Sequence, residues 1–277
     1  MRKLLTASFS RLWKEKMFWI AFAFMSIGAA SFSWMSYNTA MKNTGIEFYV
    51  EDMMFNMLPM IGFVFVFFIS MRLGTEFDEH TIRNKLVVGY NRTQVYFAEY
   101  ITCMTASLIL LVVMLLCSTL SGWFFFRKFQ SGWMEVAFLL LCCVLMASVF
   151  SAMSVGICMN VRNKAASLVA SLVFLFAILL LASFCINALA EEPMTYSYVS
   201  ITMDGLQYGD LIDNPAYIDG FQRTIYELIA DILPTGQTIQ LNNLDYDRAV
   251  RWPLLSVIML VVSTVLGYYS FRKKDIK

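Results

Sequence analysis

Charged side chains are scarce in this sequence, and they gather where they can pair. Of its 277 residues 59% are hydrophobic and 15% charged, yet the stretch RLGTEFDEHTIRNKLVVGYNR, Arg72 to Arg92, holds Glu76, Asp78, Glu79, Arg83, Lys85 and Arg92. Glu79 and Arg83 stand four apart, as do Thr81 and Lys85, the spacing at which side chains on one helix face meet. Ile82 and Leu86 add a short apolar stripe. Thr75 with Asp78 three residues on reads as a capping-box-like start, and Gly89 supplies the left-handed residue on which helices commonly end. The pattern predicts one short capped helix over residues 75–89, with an apolar face and two charged flanks, whose Arg83, Lys85 and Arg92 can pair with carboxylates on a partner. Leu86, Val87, Val88 and Tyr90 point the same way, because a free connector would leave them exposed.

Other chemistries find little support. No GxxxxGK(S/T) occurs, so the chain lacks the phosphate-cradling loop needed to bind and split ATP. His80, beside Asp78 and Glu79, is the single histidine, and zinc needs several ligands. The six cysteines, Cys103, Cys117, Cys142, Cys143, Cys158 and Cys185, all fall inside apolar runs, which argues against a disulfide framework. A net charge of +1 offers no basic surface for nucleic acid. Glu99 and Glu135 lie within a turn of span ends, where snorkelling to the interface is the simpler reading and a direct transport role the sharper one. Asn56 and Asn187 are equally ambiguous.

These residues are carried by a membrane chain. Crossing the hydrocarbon takes about 20 apolar residues, and six runs qualify: Met17 to Ser36, Phe55 to Leu73, Val95 to Phe126, Met134 to Cys158, Ala165 to Ala190 and Trp252 to Phe271. The third is longer than a crossing needs and is expected to project or tilt. With the N-terminus inside, fifteen of the 21 Lys and Arg residues fall on inner segments, so both termini are expected to be cytoplasmic. Asn91-Arg92-Thr93, a formal glycosylation acceptor, then lies on the wrong side. Residues 1–16, with Leu4, Leu5, Phe9, Leu12 and Trp13 among basic residues, read as an amphipathic helix along the inner interface rather than the start of a signal peptide. Residues 17–190 hold five spans and the 75–89 helix. Residues 191–251 form an external segment, and residues 252–277 the sixth span with a basic tail.

In the external segment TYSYVSITMDGLQYG alternates around Asp204-Gly205 and predicts a hairpin. Beyond it Asn214 is expected to cap a helix with Pro215 at its first position, with Ile218, Phe221, Ile225, Leu228, Ile229 and Ile232 on one face and Pro234 at its end. Gly62, Gly122 and Gly156 read as close-approach points between spans.

Gly74, Glu76, Thr81, Arg83, Leu86, Gly89 and Arg92, taken in order, resemble the inner loop between the second and third spans of the membrane subunits of type 2 ATP-binding-cassette (ABC) transporters, mostly bacterial exporters. ADILPTGQTIQL before the last span and the C-terminal GYYSFRKKDIK are similar to that family too. Glu99 departs from it, standing where many relatives carry Lys. The resemblance implies an all-α integral membrane protein of the bacterial cytoplasmic membrane, with six transmembrane helices, an interfacial N-terminal helix, a cytoplasmic coupling helix and a small external domain. It implies a permease without its own cofactor, energised by two copies of a separate ABC ATPase that binds ATP and Mg, and paired with itself or a homologous permease. Gly74, Glu76, Glu79, Thr81, Arg83, Lys85, Leu86, Gly89 and Arg92 are then the residues expected to engage the ATPase. An amphipathic peptide or lipid-like cargo, including immunity to an antimicrobial peptide, fits the aromatic spans. An ATP-independent ion-coupled carrier and a non-transporting sensor or scaffold are the alternatives; the carrier requires paired ionisable residues near the bilayer centre.

Overall fold

The computed structural model describes residues 1–42, 49–129, 131–197, 199–202, 205–245 and 247–273. In chain order the helices are α1 (Arg2–Leu12), α2 (Lys16–Lys42), α3 (Val50–Asn56), α4 (Leu58–Asp78), α5 (Thr81–Val87), α6 (Arg92–Phe125), α7 (Trp133–Val161), α8 (Lys164–Leu189), α9 (Gly220–Ile232), α10 (Pro234–Asn242) and α11 (Trp252–Lys273). Strands β1 (Met194–Tyr196), β2 (Val199–Thr202), β3 (Gly205–Tyr208) and β4 (Leu211–Asp213) lie between α8 and α9. Among the described residues six helical segments are long and apolar enough to cross a membrane: α2, α3 with α4, α6, α7, α8, and α11 with the turn before it. They coincide with the six apolar runs, and the molecule is an all-α membrane protein. An even number of crossings brings both ends of the chain to one side, called the terminal face below.

Helix α1 buries Leu4, Ser8 and Leu12 at four-residue spacing and packs on α6, while Arg2 and Lys3 stay exposed. Trp13, expected on the apolar face, is half exposed, and its carbonyl accepts a hydrogen bond from Trp19 Nε1 at 3.0 Å. The second span is not one continuous helix. Pro59 has no N–H to donate to the preceding turn, so α3 and α4 part at Met57, with Pro59 in the first turn of α4. At 34 residues, α6 is about 51 Å long by its rise per residue, against a hydrocarbon thickness of about 30 Å, and its first turns stand in the terminal face.

Helix α7 lies at the centre, packed by α4, α6, α8 and α11. Its contact with α11 depends on the absence of side chains, since a Cβ on Gly267 would sit 2.8 Å from Gly156 Cα and 2.5 Å from Tyr96 Oη. Similarly, a Cβ on Gly74 would fall 2.6 Å from Lys164 Cα, which fixes the terminal end of α4 against the start of α8.

On the opposite face the expected hairpin is present as two antiparallel ladders in one register: Met194 pairs with Asp213 and Tyr196 with Leu211, then Val199 pairs with Tyr208 and Thr202 with Gly205. Asp204, read as its turn residue, lies outside the described residues. The helix that follows starts later than its sequence indicated. Asn214 Oδ1 accepts from Ala216 N at 2.9 Å, and its amide donates to the Glu192 carbonyl at 2.9 Å and to Glu191 Oε2 at 3.0 Å, so it fastens the hairpin base instead of capping a helix. Helix α9 begins six residues on, at Gly220. Phe221, Ile225 and Leu228 of its apolar stripe remain exposed, whereas Ile229 and Ile232 pack on the core.

Pro234 does not only end α9; it opens α10, where a missing N–H costs nothing. Helix α10 turns back into the bundle. Thr235 Oγ1 donates to the carbonyl of Ile178 at 3.0 Å, eleven residues before the end of α8 and so about 16 Å down its axis. Polar backbone and side chains survive at that depth because protein surrounds them. Gln237 Nε2 donates to the Asp231 carbonyl at 2.7 Å and to Ser256 Oγ at 3.0 Å; Arg248 Nη2 donates to Gln240 Oε1 at 2.9 Å; Trp252 Nε1 donates to Asp231 Oδ1 at 3.2 Å.

Burial raises the Asp231 carboxyl above its ordinary 3.8, with Arg248 pulling it back. A native state that holds this proton more tightly than the unfolded chain has its Asp231 contribution in full below pH 3.8 and loses it as pH rises through the folded value. Asp231→Asn keeps the acceptor for Trp252 and removes that loss. Its thermal midpoint in detergent should equal or exceed the parent's at pH 8, with the gap closing towards pH 4; a variant clearly less stable at pH 8 would contradict this assignment.

Candidate functional site

Where α1, α4, α5 and α6 meet at the terminal face, three cations and three carboxylates form one network, buried at Arg72 and Glu99 and half exposed at Arg11. Arg72, on the second turn from the end of α4, is 2% exposed, and Glu99, two turns into α6, is fully buried. Arg72 Nη2 lies 3.5 Å from Glu99 Oε2, and Arg72 Nη1 donates to Glu15 Oε1 in the turn between α1 and α2. Arg72 Nη2 also donates to the Ser8 carbonyl at 3.4 Å, while Ser8 Oγ donates to Glu99 Oε1 at 2.9 Å. From α5, Lys85 Nζ bridges Glu99 Oε1 at 2.7 Å and Glu76 Oε2 at 2.6 Å. Thr81 Oγ1 donates to the same Glu76 carboxylate and to the Glu76 carbonyl at 2.9 Å, and Arg11 Nη1 ends the row on Glu76 Oε1 at 3.2 Å.

The charges balance, which is why they tolerate burial. An isolated buried ion neutralises itself or destabilises the fold, and here each has an opposite charge within reach, although Arg72 Nε, Glu99 Oε2 and Glu15 Oε2 accept or donate no hydrogen bond. Glu15 shows the residual strain on the outer edge of the cluster: burial pushes its carboxyl above the usual range, with the Arg72 guanidinium pulling it down.

This geometry changes the reading of the 75–89 stretch. It is not one capped helix. Thr75 Oγ1 donates back to the Met71 carbonyl, so α4 runs on to Asp78; the chain then reverses at His80, whose φ of 55° is left-handed, and α5 covers only Thr81–Val87. The expected flanks are redistributed as well. Thr81 and Lys85 do not present a charged side to a partner, because both reach inward to Glu76. Ile82 is 1% exposed, and Leu86 is half buried against the core, so the apolar stripe seats α5 on the bundle. Glu79 and Arg83 are exposed and make no ion pair with each other among the described residues. Gly74 is a contact with Lys164 at the foot of α8. Gly89, with φ of 104°, ends the element as expected. Arg92 Nη1 donates to the Arg272 carbonyl at 2.9 Å and ties α6 to α11. Glu99, read as snorkelling, is instead enclosed, since three partners reach it from three elements.

What α5 offers outward is different and smaller. Val87 and Val88 are 78% and 77% exposed, next to exposed Arg83 and Asn84. Arg83, Leu86, Val87, Tyr90, Asn91 and Arg92 line an open recess of about 410 Å³, mixed in polarity. Sequence reasoning missed Arg72, Glu15, Ser8 and Arg11 as members of the network. The signal available for Arg72 was a cation inside the end of an apolar run. For the other three there was only an amphipathic pattern.

A six-span bundle with its charged core tied to a short helix on the terminal face defines a multi-pass membrane protein built around a loop between the second and third spans. The family model for ABC-2 family transporter protein matches residues 4–196, most of the chain and all of this network. The chain belongs to that family: it is the permease type of ABC transporter subunit, and the family implies association with an ABC ATPase. A search of curated proteins finds no match.

Glu99→Gln leaves three cations facing two carboxylates in a dry site and should lower stability by about 3–5 kcal/mol, the usual effect of breaking a buried pair. Adding Lys85→Met restores the balance, and most of the loss should be recovered. Thermal unfolding followed by size-exclusion in mild detergent checks both; an additive double variant would show that Lys85 and Glu99 are not coupled.

Proposed function

We propose that this chain is the permease of an ATP-driven exporter, with both termini cytoplasmic, and that its terminal face receives a separate ATPase at the recess beside α5. The observation that carries the reading is the two-sidedness of α5. Its inward residues are locked by Lys85 and Thr81 to Glu76, and its outward residues, Val87, Val88 and Arg83, are apolar and cationic with no fold of their own to serve. An exposed valine pair beside a cation is what a partner groove lined by apolar residues and carboxylates would take up.

Closure of the ATPase on ATP would then push α5, and the push would pass through Lys85 and Glu76 to α4 and through Glu99 to α6. The complex contains two permeases, this chain twice or with a homologue, and two ATPases that supply ATP and Mg. An amphipathic peptide or lipid-like cargo is supported by the aromatic spans and by the exposed apolar stripe of α9, Phe221, Ile225 and Leu228. Protection against an antimicrobial peptide is one role of this kind. The paired ionisable residues sit at one end of the bundle and not at its middle, which favours this reading over an ion-coupled carrier.

Val87→Asp combined with Arg83→Glu should cut co-purification of the ATPase at least about tenfold, the effect of a lost hot spot of roughly 1.4 kcal/mol or more. Membrane insertion and thermal stability should not change, since both side chains are exposed. Full ATPase association in this variant, or ATP-independent cargo transport by the purified chain in liposomes, would refute the proposal.

A further inference from the structure

Helix α9 is built inside out. Spacings of three and four residues place Phe221, Ile225, Leu228 and Ile232 along one side of it and Arg223, Glu227 and Asp231 along the other. On a helix bathed in water the apolar side packs on the protein and the charged side faces out. In α9 the charged side is the one turned inward. Asp231 is fully buried, with Arg248 Nε 3.6 Å from its Oδ1 and Trp252 Nε1 donating to the same oxygen at 3.2 Å. Glu227 lies 3.6 Å from Arg248 Nη1, 3.6 Å from Arg223 Nε and 3.8 Å from Arg251 Nη1. The apolar side is turned away from the bundle along most of its length: Phe221 is 81% exposed and Leu228 52%, against 21% for the Glu227 side chain, and of the four only Ile232, at the foot of the helix, packs on the core.

The position of α9 along the spans accounts for this polarity. The bond from Trp252 to Asp231 sets the last turn of α9 level with the first residue of α11, where the sixth span begins. From there α9 runs along α8, and the ring of Tyr226 lies 5.9 Å from that of Phe184. Phe184 is five residues short of the end of α8, about 7–8 Å down its axis. Phe184, Leu180 and Leu181 are all exposed and belong to the outer surface of a span, so the stripe of α9 continues a surface that lipid already covers. Ionisable side chains at such a level turn to the bundle interior and pair there, as Glu227 and Asp231 do.

We propose that α9 is a lipid-facing helix seated at the membrane boundary on the face opposite the termini, with Phe221, Ile225 and Leu228 against the acyl chains of that leaflet. Interfacial helices sink their apolar side about 5–10 Å into the boundary of headgroups and acyl chains in this way. The segment between the fifth and sixth spans, expected to be external, then carries a membrane contact of its own. This contact is far from the α5 recess, and it holds whether or not an ATPase docks there.

The test is electron paramagnetic resonance of the full-length chain in dioleoyl phosphatidylcholine liposomes, with nitroxide labels at Ile225→Cys or Leu228→Cys and at Glu192→Cys, an exposed residue at the hairpin base, as the aqueous reference. The native cysteines are buried or half buried, and the unsubstituted chain supplies their background signal. At both α9 positions the ratio of collisions with dissolved oxygen to collisions with a water-soluble nickel chelate should be at least about threefold higher than at Glu192→Cys. A ratio equal to the reference would put the stripe in water, and few collisions with either reagent would put it against protein, a second copy of the chain included; each overturns the proposal. Leu228→Asp needs no label and should lower the thermal midpoint in the same liposomes, because it sets a charge against lipid; an unchanged midpoint overturns the proposal as well.

Discussion

The arrangement of the terminal face depends on the neutrality of one buried cluster. Arg72 cannot be inside the bundle without carboxylates, and the only way to bring Glu15 and Glu99 to it is to lay the α1–α2 turn on one side and α6 on the other. Lys85 then has a place because Glu99 and Glu76 between them carry more negative charge than Arg72 can balance. Each ion is in position because of the others, so the four elements that supply them are fixed as a set. Buried ion pairs of this kind add little to net stability compared with an apolar core of the same shape; what they contribute is geometry, since few other arrangements satisfy every charge.

The same constraint decides which parts of α5 are free. A seven-residue helix has little intrinsic stability, and α5 persists because Ile82 is buried and because Thr81 and Lys85 grip Glu76. Those three residues use up the inward face. Arg83, Asn84, Val87 and Val88 are what remains, and a force applied to them meets a short element bolted at both ends of one helical turn. Through Lys85 that element is joined to the ends of both α4 and α6.

The spans were legible in the sequence because hydrocarbon imposes length and apolarity on them, and all six are where hydropathy put them. The amphipathic α1 and the turn at Gly89 were legible for equally local reasons. The network was not. Ser8 and Glu99 are 91 residues apart, and nothing local distinguishes a glutamate that will be enclosed by three helices from one that will reach the interface. Helix α10 was hidden for the opposite reason: PTGQTIQLN has the composition of a loop, and its burial follows from the cavity that α3, α4, α7 and α8 leave for it. At Thr75 the capping signal was genuine but lost to continuity, since the hydroxyl found the Met71 carbonyl within its own helix.

The two faces of the bundle are held by different mixtures of ion pairs and hydrogen bonds. At the terminal face, helices are joined by full charges, which act over several ångströms and tolerate small shifts in distance as long as the group stays neutral. At the other face Arg248 pairs with Glu227 and Asp231 of α9, directional bonds from Gln237, Gln240 and Trp252 join α9, α10 and α11, and Thr235 bonds to α8; such bonds weaken steeply when angles change. The hydroxyl bond from Thr235 to the Ile178 carbonyl, which ties α10 to α8, depends on angle in a way the ionic group does not.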